Sequence, residues 1–237
     1  MDRLTRKELK SDKFALEVEH TVDFVTDHRD QVIRYGGIAL ALIVIAFGWR
    51  FYSGSQHAAR QEALRSASMI LDANVGAPQN PPSPAILNFP TEDARQKALV
   101  KAFTGVATKY SGSEEGATAL YYLGTNAADK GDLAGAEKYF KQVIDSGHAN
   151  IASMAKLALA HLYGSEGKVA DGEKLIRSVM DKPTDFVSRE DATISLARLL
   201  APTKPDEARK LLEPLRTARS AISRAALSAL SDMSQSK

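Results

Sequence analysis

An uninterrupted apolar segment near the N-terminus constrains this chain more than any other feature. From Gly36 to Trp49 the sequence reads GGIALALIVIAFGW and contains no charged residue. Apolar character extends over residues 32–52 with only arginine as a charged interruption. A helix needs about 20 residues to cross the hydrocarbon core of a bilayer. The sequence therefore predicts one transmembrane helix over residues 32–52.

The residues at the two ends of this segment fit the two faces of a membrane. Arg34 and Arg50 lie sixteen residues apart, which corresponds to roughly 24 Å along a helix, so their long side chains can reach opposite interfaces. Tyr35 lies at one end, and Trp49 and Tyr52 lie at the other, as in an aromatic belt. We predict that these five residues anchor the helix. A buried core helix and a cleaved signal peptide are the two alternatives, although the N-terminal region would be long and acidic for a signal peptide.

The distribution of basic residues predicts the orientation of this helix. Seven Lys and Arg residues precede position 35, whereas residues 51–96 contain three. Cytoplasmic flanks are richer in Lys and Arg, so the N-terminus is expected in the cytoplasm and the C-terminal part outside it. The inverted topology would leave a cytoplasmic domain instead.

The N-terminal tail, residues 1–31, carries its own pattern. Apolar residues recur at spacings of three and four, which predicts an amphipathic helix; they are Phe14, Val18, Val22 and Val25. This helix would lie on the inner leaflet or on a partner, or it would only lead into the membrane segment.

Residues 53–237 show a repeat at a period of 36. Segments 120–144 and 156–180 align at this offset. One further step reaches Ala208, and one step back reaches a predicted helix over residues 92–109, where it meets Val100, Thr104 and Ala107. Stacked helical hairpins bury a continuous core that one hairpin cannot bury alone. We predict an all-α fold in which a transmembrane helix precedes an α-solenoid; a generic helical bundle is the alternative.

The repeat also predicts which residues pack between the helices. Small residues would lie where the two helices of a hairpin approach, and bulky residues would fill the seams; the set is Leu123, Gly124, Ala136, Phe140, Leu159, Gly172 and Ala208. Residues 76–90 contain five prolines and are predicted to form a loop within the repeat domain.

Several of these residues resemble the tetratricopeptide repeat (TPR) consensus. Leu123-Gly124, Gly131-Asp132, Ala136 and Phe140 match it in type and spacing, but the Trp of the first helix is missing and His148 replaces the closing Pro. The whole layout, with a segment ending in Gly48-Trp49-Arg50 before the repeats, resembles the YfgM-like family of ancillary Sec translocon subunits. This resemblance implies a bacterial inner-membrane protein with a periplasmic TPR-like domain. It also implies two partners, the Sec translocon and a membrane-anchored periplasmic chaperone.

Composition and motifs give no support to an enzyme. The chain has 31 basic and 29 acidic residues and no cysteine, which argues against a nucleic-acid binder and excludes thiol chemistry. The five histidines include no pair at metal-ligand spacing. The segment Gly164–Lys168 is too short for a phosphate loop and is predicted to be a hairpin turn. We expect no catalytic activity and no cofactor.

Protein binding is the function that this pattern favours. Candidate contact residues lie on the first helix of each hairpin: Tyr121, Tyr122, Asn126, Lys156 and His161. The sequence thus predicts a membrane-anchored scaffold that links the translocon to chaperones. The alternatives are a scaffold for envelope assembly or division, a cytoplasmic TPR adaptor, and a tethered enzyme with an unrecognised site.

Overall fold

The structure is a computed structural model that describes residues 29–77, 87–217 and 220–235. The predicted amphipathic helix of the tail lies outside these residues. The chain divides into two compact units, residues 1–59 and residues 60–237.

Helices dominate the described residues, as the sequence predicted. They are α1 (Arg29–Ser68), α2 (Glu92–Lys109), α3 (Glu114–Asp129), α4 (Leu133–Asp145), α5 (Ala149–Ser165), α6 (Val169–Asp181), α7 (Arg189–Leu200), α8 (Pro205–Leu212), a 3-10 turn (Glu213–Thr217) and α9 (Ser220–Gln235).

Two short strands lie between α1 and α2, which the prediction of a plain loop over residues 76–90 did not include. Strand β1 (Asn74–Val75) pairs in parallel with β2 (Asn88–Phe89). The side chain of Asn88 also donates to the carbonyl oxygen of Gly76 at 3.0 Å. These bonds hold residues 74–76 beside residues 88–89. The described parts of the chain before and after residues 78–86 therefore lie next to each other.

In the first unit, the apolar part of α1 is exposed on every side. Leu42, Ile43, Val44 and Ile45 are 61%, 54%, 62% and 65% exposed, and four successive residues point in four directions around a helix. No helix in the described part of the chain is both long and apolar enough to cross a membrane. The side chains of residues 46 and 48–55 are not described, so the span over residues 32–52 stays a prediction.

The second unit is a row of helical hairpins. Helices α3 and α4 form one hairpin, α5 and α6 the next, and α7 and α8 another. The part of α1 after residue 60 packs with α2 at the N-terminal end of the row. Helix α9 packs against α7 and α8 at the other end.

One apolar core runs along this row. Phe103 lies at its N-terminal end, Phe140 in the middle and Leu200 towards the C-terminal end, and none of the three is more than 2% exposed. Leu120 and Tyr139 contact both the first and the middle cluster of core residues. Leu175 contacts both the middle and the last cluster. The hairpins therefore share one continuous core, as stacked repeats require.

The 36-residue register predicted for the first hairpin is wrong by one position. Helix α2 spans Glu92–Lys109 as predicted, but its buried residues are Leu99, Phe103 and Val106 rather than Val100, Thr104 and Ala107. The connection from α2 to α3 has four residues, whereas the connection from α4 to α5 has three. The additional residue shifts the buried face of α2 by one position.

Candidate protein-binding surface

Two glycines set how closely the helices of a hairpin pack. A Cβ atom added at Gly124 would lie 2.7 Å from Cε1 of Phe140, and one added at Gly172 would lie 2.8 Å from the carbonyl oxygen of Ala160. Both distances are too short for a side chain, so only glycine permits this approach. The structure buries all seven residues assigned to repeat packing: Leu123, Gly124, Ala136, Phe140, Leu159, Gly172 and Ala208.

The two central hairpins turn in the same way. Gly131 and Gly167 have φ angles of +77° and +76°, which glycine adopts without strain. In the second turn, Gly167 donates its N–H to Gly164 and Lys168 donates to Tyr163, at 3.1 and 2.8 Å. This is the Schellman pattern that ends a helix. Residues 164–168 therefore form a hairpin turn, as predicted, and not a phosphate loop.

Acidic pairs lie in the first turns of four of the described helices, α2, α3, α7 and α8, and the pair of α3 has a second role. The pairs at α7 and α8 lie in first turns, where carboxylates complement the helix dipole. Glu115 of α3, however, is only 7% exposed, and its Oε2 lies 3.4 Å from Nε of Arg60. This ion pair links the C-terminal part of α1 to α3.

The first helices of adjacent hairpins, α3 and α5, lie side by side and present a partly apolar surface. Thr118 and Tyr121 of α3 are repeat-equivalent to Met154 and Leu157 of α5, and none of the four is buried. His161 continues the same side of α5 one turn further along. We call these five residues the A-helix face.

Two of the predicted contact residues belong to an aromatic cluster. The ring of Tyr122 stacks on Phe103 with centroids 4.8 Å apart, and Tyr121 lies 5.9 Å from Phe140. Burial raises the pKa of the Tyr121 hydroxyl, so it stays protonated and can donate a hydrogen bond. Tyr122 is thus mainly a packing residue, whereas Tyr121 also contributes to the A-helix face.

Asn126 and Lys156 lie beside this face rather than on it. The side chain of Asn126 donates to Oε1 of Gln96 at 2.7 Å, which ties α3 to α2. Lys156 is half-buried on α5. Of the five predicted contact residues, only Tyr121 and His161 therefore belong to the A-helix face.

The ring of His161 connects this surface to α7. Its Nε2 lies 2.7 Å from Oγ of Ser195, with which it shares a hydrogen bond. Desolvation of the ring, together with the positive charge of Arg198, lowers the pKa of His161 below its ordinary value of 6.5. At neutral pH the ring is therefore uncharged and can both donate and accept a hydrogen bond.

The sequence analysis missed an open cavity of about 520 Å³ lined by residues of α7, α8 and α9 and of the α7–α8 connection. Its lining combines apolar side chains with Arg198, Arg209 and Asp232. The local signal was the pair of prolines at positions 202 and 205, one in the α7–α8 connection and one at the start of α8. No local pattern shows how α9 packs. Among the described residues, no group of three His, Cys, Asp or Glu residues is arranged to hold a metal ion.

The comparison with protein families agrees with this architecture. The family described as tetratricopeptide repeat-like domain matches residues 33–192. The chain belongs to this family. The matched region starts within the apolar part of α1 and ends in the first turn of α7. No curated protein matches this chain significantly, and no solved structure does.

Proposed function

We propose that this TPR-like protein is a membrane-tethered scaffold, and that its A-helix face binds protein partners next to the membrane. TPR-like stacks use their extended surfaces to hold segments of other proteins. The proposal includes a single-pass membrane anchor over residues 32–52, with the repeat domain in the bacterial periplasm. It assigns no catalytic role to the chain.

The observation that carries the proposal is the exposure of the apolar part of α1, Leu42 to Ile45, on all sides. A helix that is apolar around its whole circumference must be buried in a protein core or in a membrane, and Leu42 to Ile45 are left exposed by the residues that the structure describes. The family match begins at residue 33, so this apolar segment is part of the family's common region and not an addition to it.

The resemblance to the YfgM-like family supplies the proposed partners. We assign the translocon as the neighbour in the membrane and a membrane-anchored periplasmic chaperone as the second partner. A membrane anchor raises the effective concentration of the repeat domain near both. The scaffold would thereby bring the chaperone close to emerging polypeptide chains.

Affinity purification from membranes tests these partners. Tyr121→Ala combined with Leu157→Ala removes apolar contact area from the A-helix face, and Leu227→Ala removes a 46% exposed apolar side chain from α9 as a control. We expect the wild type and the control to retain translocon subunits and the chaperone, and the double variant to lose the chaperone. If the wild type retains neither partner, the proposed assignment is wrong.

A further inference from the structure

We propose that the cavity between α7, α8 and α9 binds an internal segment of a partner protein in which an apolar residue adjoins one Asp or Glu side chain. This inference rests on the proposed function, because it specifies the partner chemistry of a surface on the same scaffold. The family match ends at residue 192, and every residue that lines the cavity lies after it. The cavity therefore lies outside the region that the family match covers.

The first reason is the state of the two arginines. Arg198 of α7 and Arg209 of α8 both line the cavity, and within the described residues neither guanidinium forms an ion pair or a hydrogen bond. Nearby basic groups differ: Arg177 lies 2.6 Å from Glu173, and Lys204 lies 3.7 Å from Glu207. A guanidinium binds a carboxylate through two parallel hydrogen bonds, so the cavity offers two donors for an incoming acid.

The second reason is the apolar part of the cavity lining. Pro202, Pro205, Ala229 and Met233 also line the cavity. Ala229 and Met233 are only 2% and 8% exposed. Its volume of about 520 Å³ is in the range of pockets that bind small ligands or a few side chains. An apolar residue next to the carboxylate would cover this part of the lining.

Asp232 limits how acidic the bound segment can be. It is the single acidic residue in the lining of the cavity as the structure describes it. A second carboxylate in the partner would meet its negative charge, so one acid beside an apolar residue is favoured over a run of acids. Two arginines against one aspartate leave the lining with a net positive charge.

The cavity also continues the A-helix face. Arg198 lies three residues after Ser195, which shares a hydrogen bond with His161 of that face. The positive charge of Arg198 also lowers the pKa of the His161 ring. A partner segment that follows the face along α5 and α7 would therefore meet Arg198 at the edge of the cavity.

Binding of blocked synthetic peptides to the full chain in detergent tests the proposal. The probe is acetyl-Gly-Ser-Gly-Leu-Glu-Leu-Gly-Ser-amide, and its matched control has Gln in place of Glu. We expect the Glu peptide to bind about tenfold more tightly than the Gln peptide, as a charge-assisted hydrogen bond allows. Equal affinities, or no binding of the Glu peptide at millimolar concentration, would overturn the proposal.

Variants of the chain locate the binding site. Arg198→Gln and Arg209→Gln should each lower the affinity for the Glu peptide towards that for the Gln peptide. Lys210→Gln is the matched control, because it removes the same charge from the next position of α8, outside the cavity lining. Asp232→Asn should strengthen binding severalfold, a gain that misfolding cannot produce. If Lys210→Gln lowers the affinity for the Glu peptide as much as Arg209→Gln does, the effect comes from the net charge of the protein and not from the cavity, and the proposal is wrong.

Two other occupants of the cavity, if found, would also overturn the proposal. A peptide with a free C-terminal Leu that binds where the blocked Glu peptide does not would assign the cavity to chain ends. A dimer that dissociates on Arg198→Gln would assign it to a second copy. Failure of the peptides while the A-helix face still retains the chaperone would remove this inference and leave the proposed function intact.

Discussion

At the residue scale, the environment of His161 gives the surface a defined response to pH. Desolvation and Arg198 lower the pKa of the ring, so the unfolded chain binds the proton more tightly than the folded chain does. The free energy of unfolding should therefore fall as the pH decreases below the ordinary value of 6.5. Above that pH, this contribution to stability is fully present.

We predict that Arg198→Gln raises the pKa of His161, because it removes a positive charge that opposes protonation. An NMR titration of the histidine ring protons measures the change, with the His161→Gln spectrum as the assignment and Lys210→Gln as the charge-matched control. A pKa for His161 at or above 6.5 in the unaltered chain would contradict this description of the site.

Gly124 tests the close packing of the hairpins. Gly124→Ala places a Cβ 2.7 Å from the ring of Phe140, and overpacking of this kind costs about 1–3 kcal/mol of stability. Gly105→Ala is the control, because no atom lies within 4 Å of the added Cβ and alanine favours a helix by up to ~1 kcal/mol. Urea denaturation of the full chain should show opposite shifts for the two variants.

At the scale of the element, helix positions could be predicted but one register could not. The periodic apolar residues and the helix-ending glycines are local signals, so α2 was predicted at its observed bounds. The length of the α2–α3 connection is a property of a turn between two packed helices. The sequence alone therefore did not show that Phe103, rather than Thr104, faces the core.

Substitutions in α2 distinguish the observed register, in which Phe103 faces the core, from the 36-residue register, in which Thr104 would face it. Phe103 is 0% exposed, so Phe103→Ala should lower the free energy of unfolding by about 3–5 kcal/mol. Thr104 is exposed, and Thr104→Ala should change it by no more than about 0.5 kcal/mol. Denaturant titration of both variants checks the register, and a larger loss for Thr104→Ala would restore the original 36-residue alignment.

The binding surface was also only partly predictable, for a related reason. Tyr121 and His161 could be placed on the first helices of hairpins from the repeat alone. Which neighbour each side chain meets depends on packing across helices, and so the bond between Asn126 and Gln96 was not foreseen. The cavity was missed because the sequence pattern does not show how α9 packs against α7 and α8.

At the scale of the whole molecule, the account depends on where the apolar part of α1 resides. Leu42→Arg together with Val44→Arg places two charges near the middle of the proposed membrane segment, each costing about 2.5–3.5 kcal/mol on insertion. We expect this variant to move from the membrane fraction to the soluble fraction. Ala58→Arg, on an exposed site of the same helix, is the control and should stay with the membrane.

The measurement that tests the central claim most directly is the location of the C-terminus. Alkaline phosphatase, and separately a fluorescent protein that folds only in the cytoplasm, would be fused after Lys237. The account predicts phosphatase activity without fluorescence, because the repeat domain would lie outside the cytoplasm. Fluorescence without phosphatase activity would contradict it and would identify the chain as a cytoplasmic adaptor.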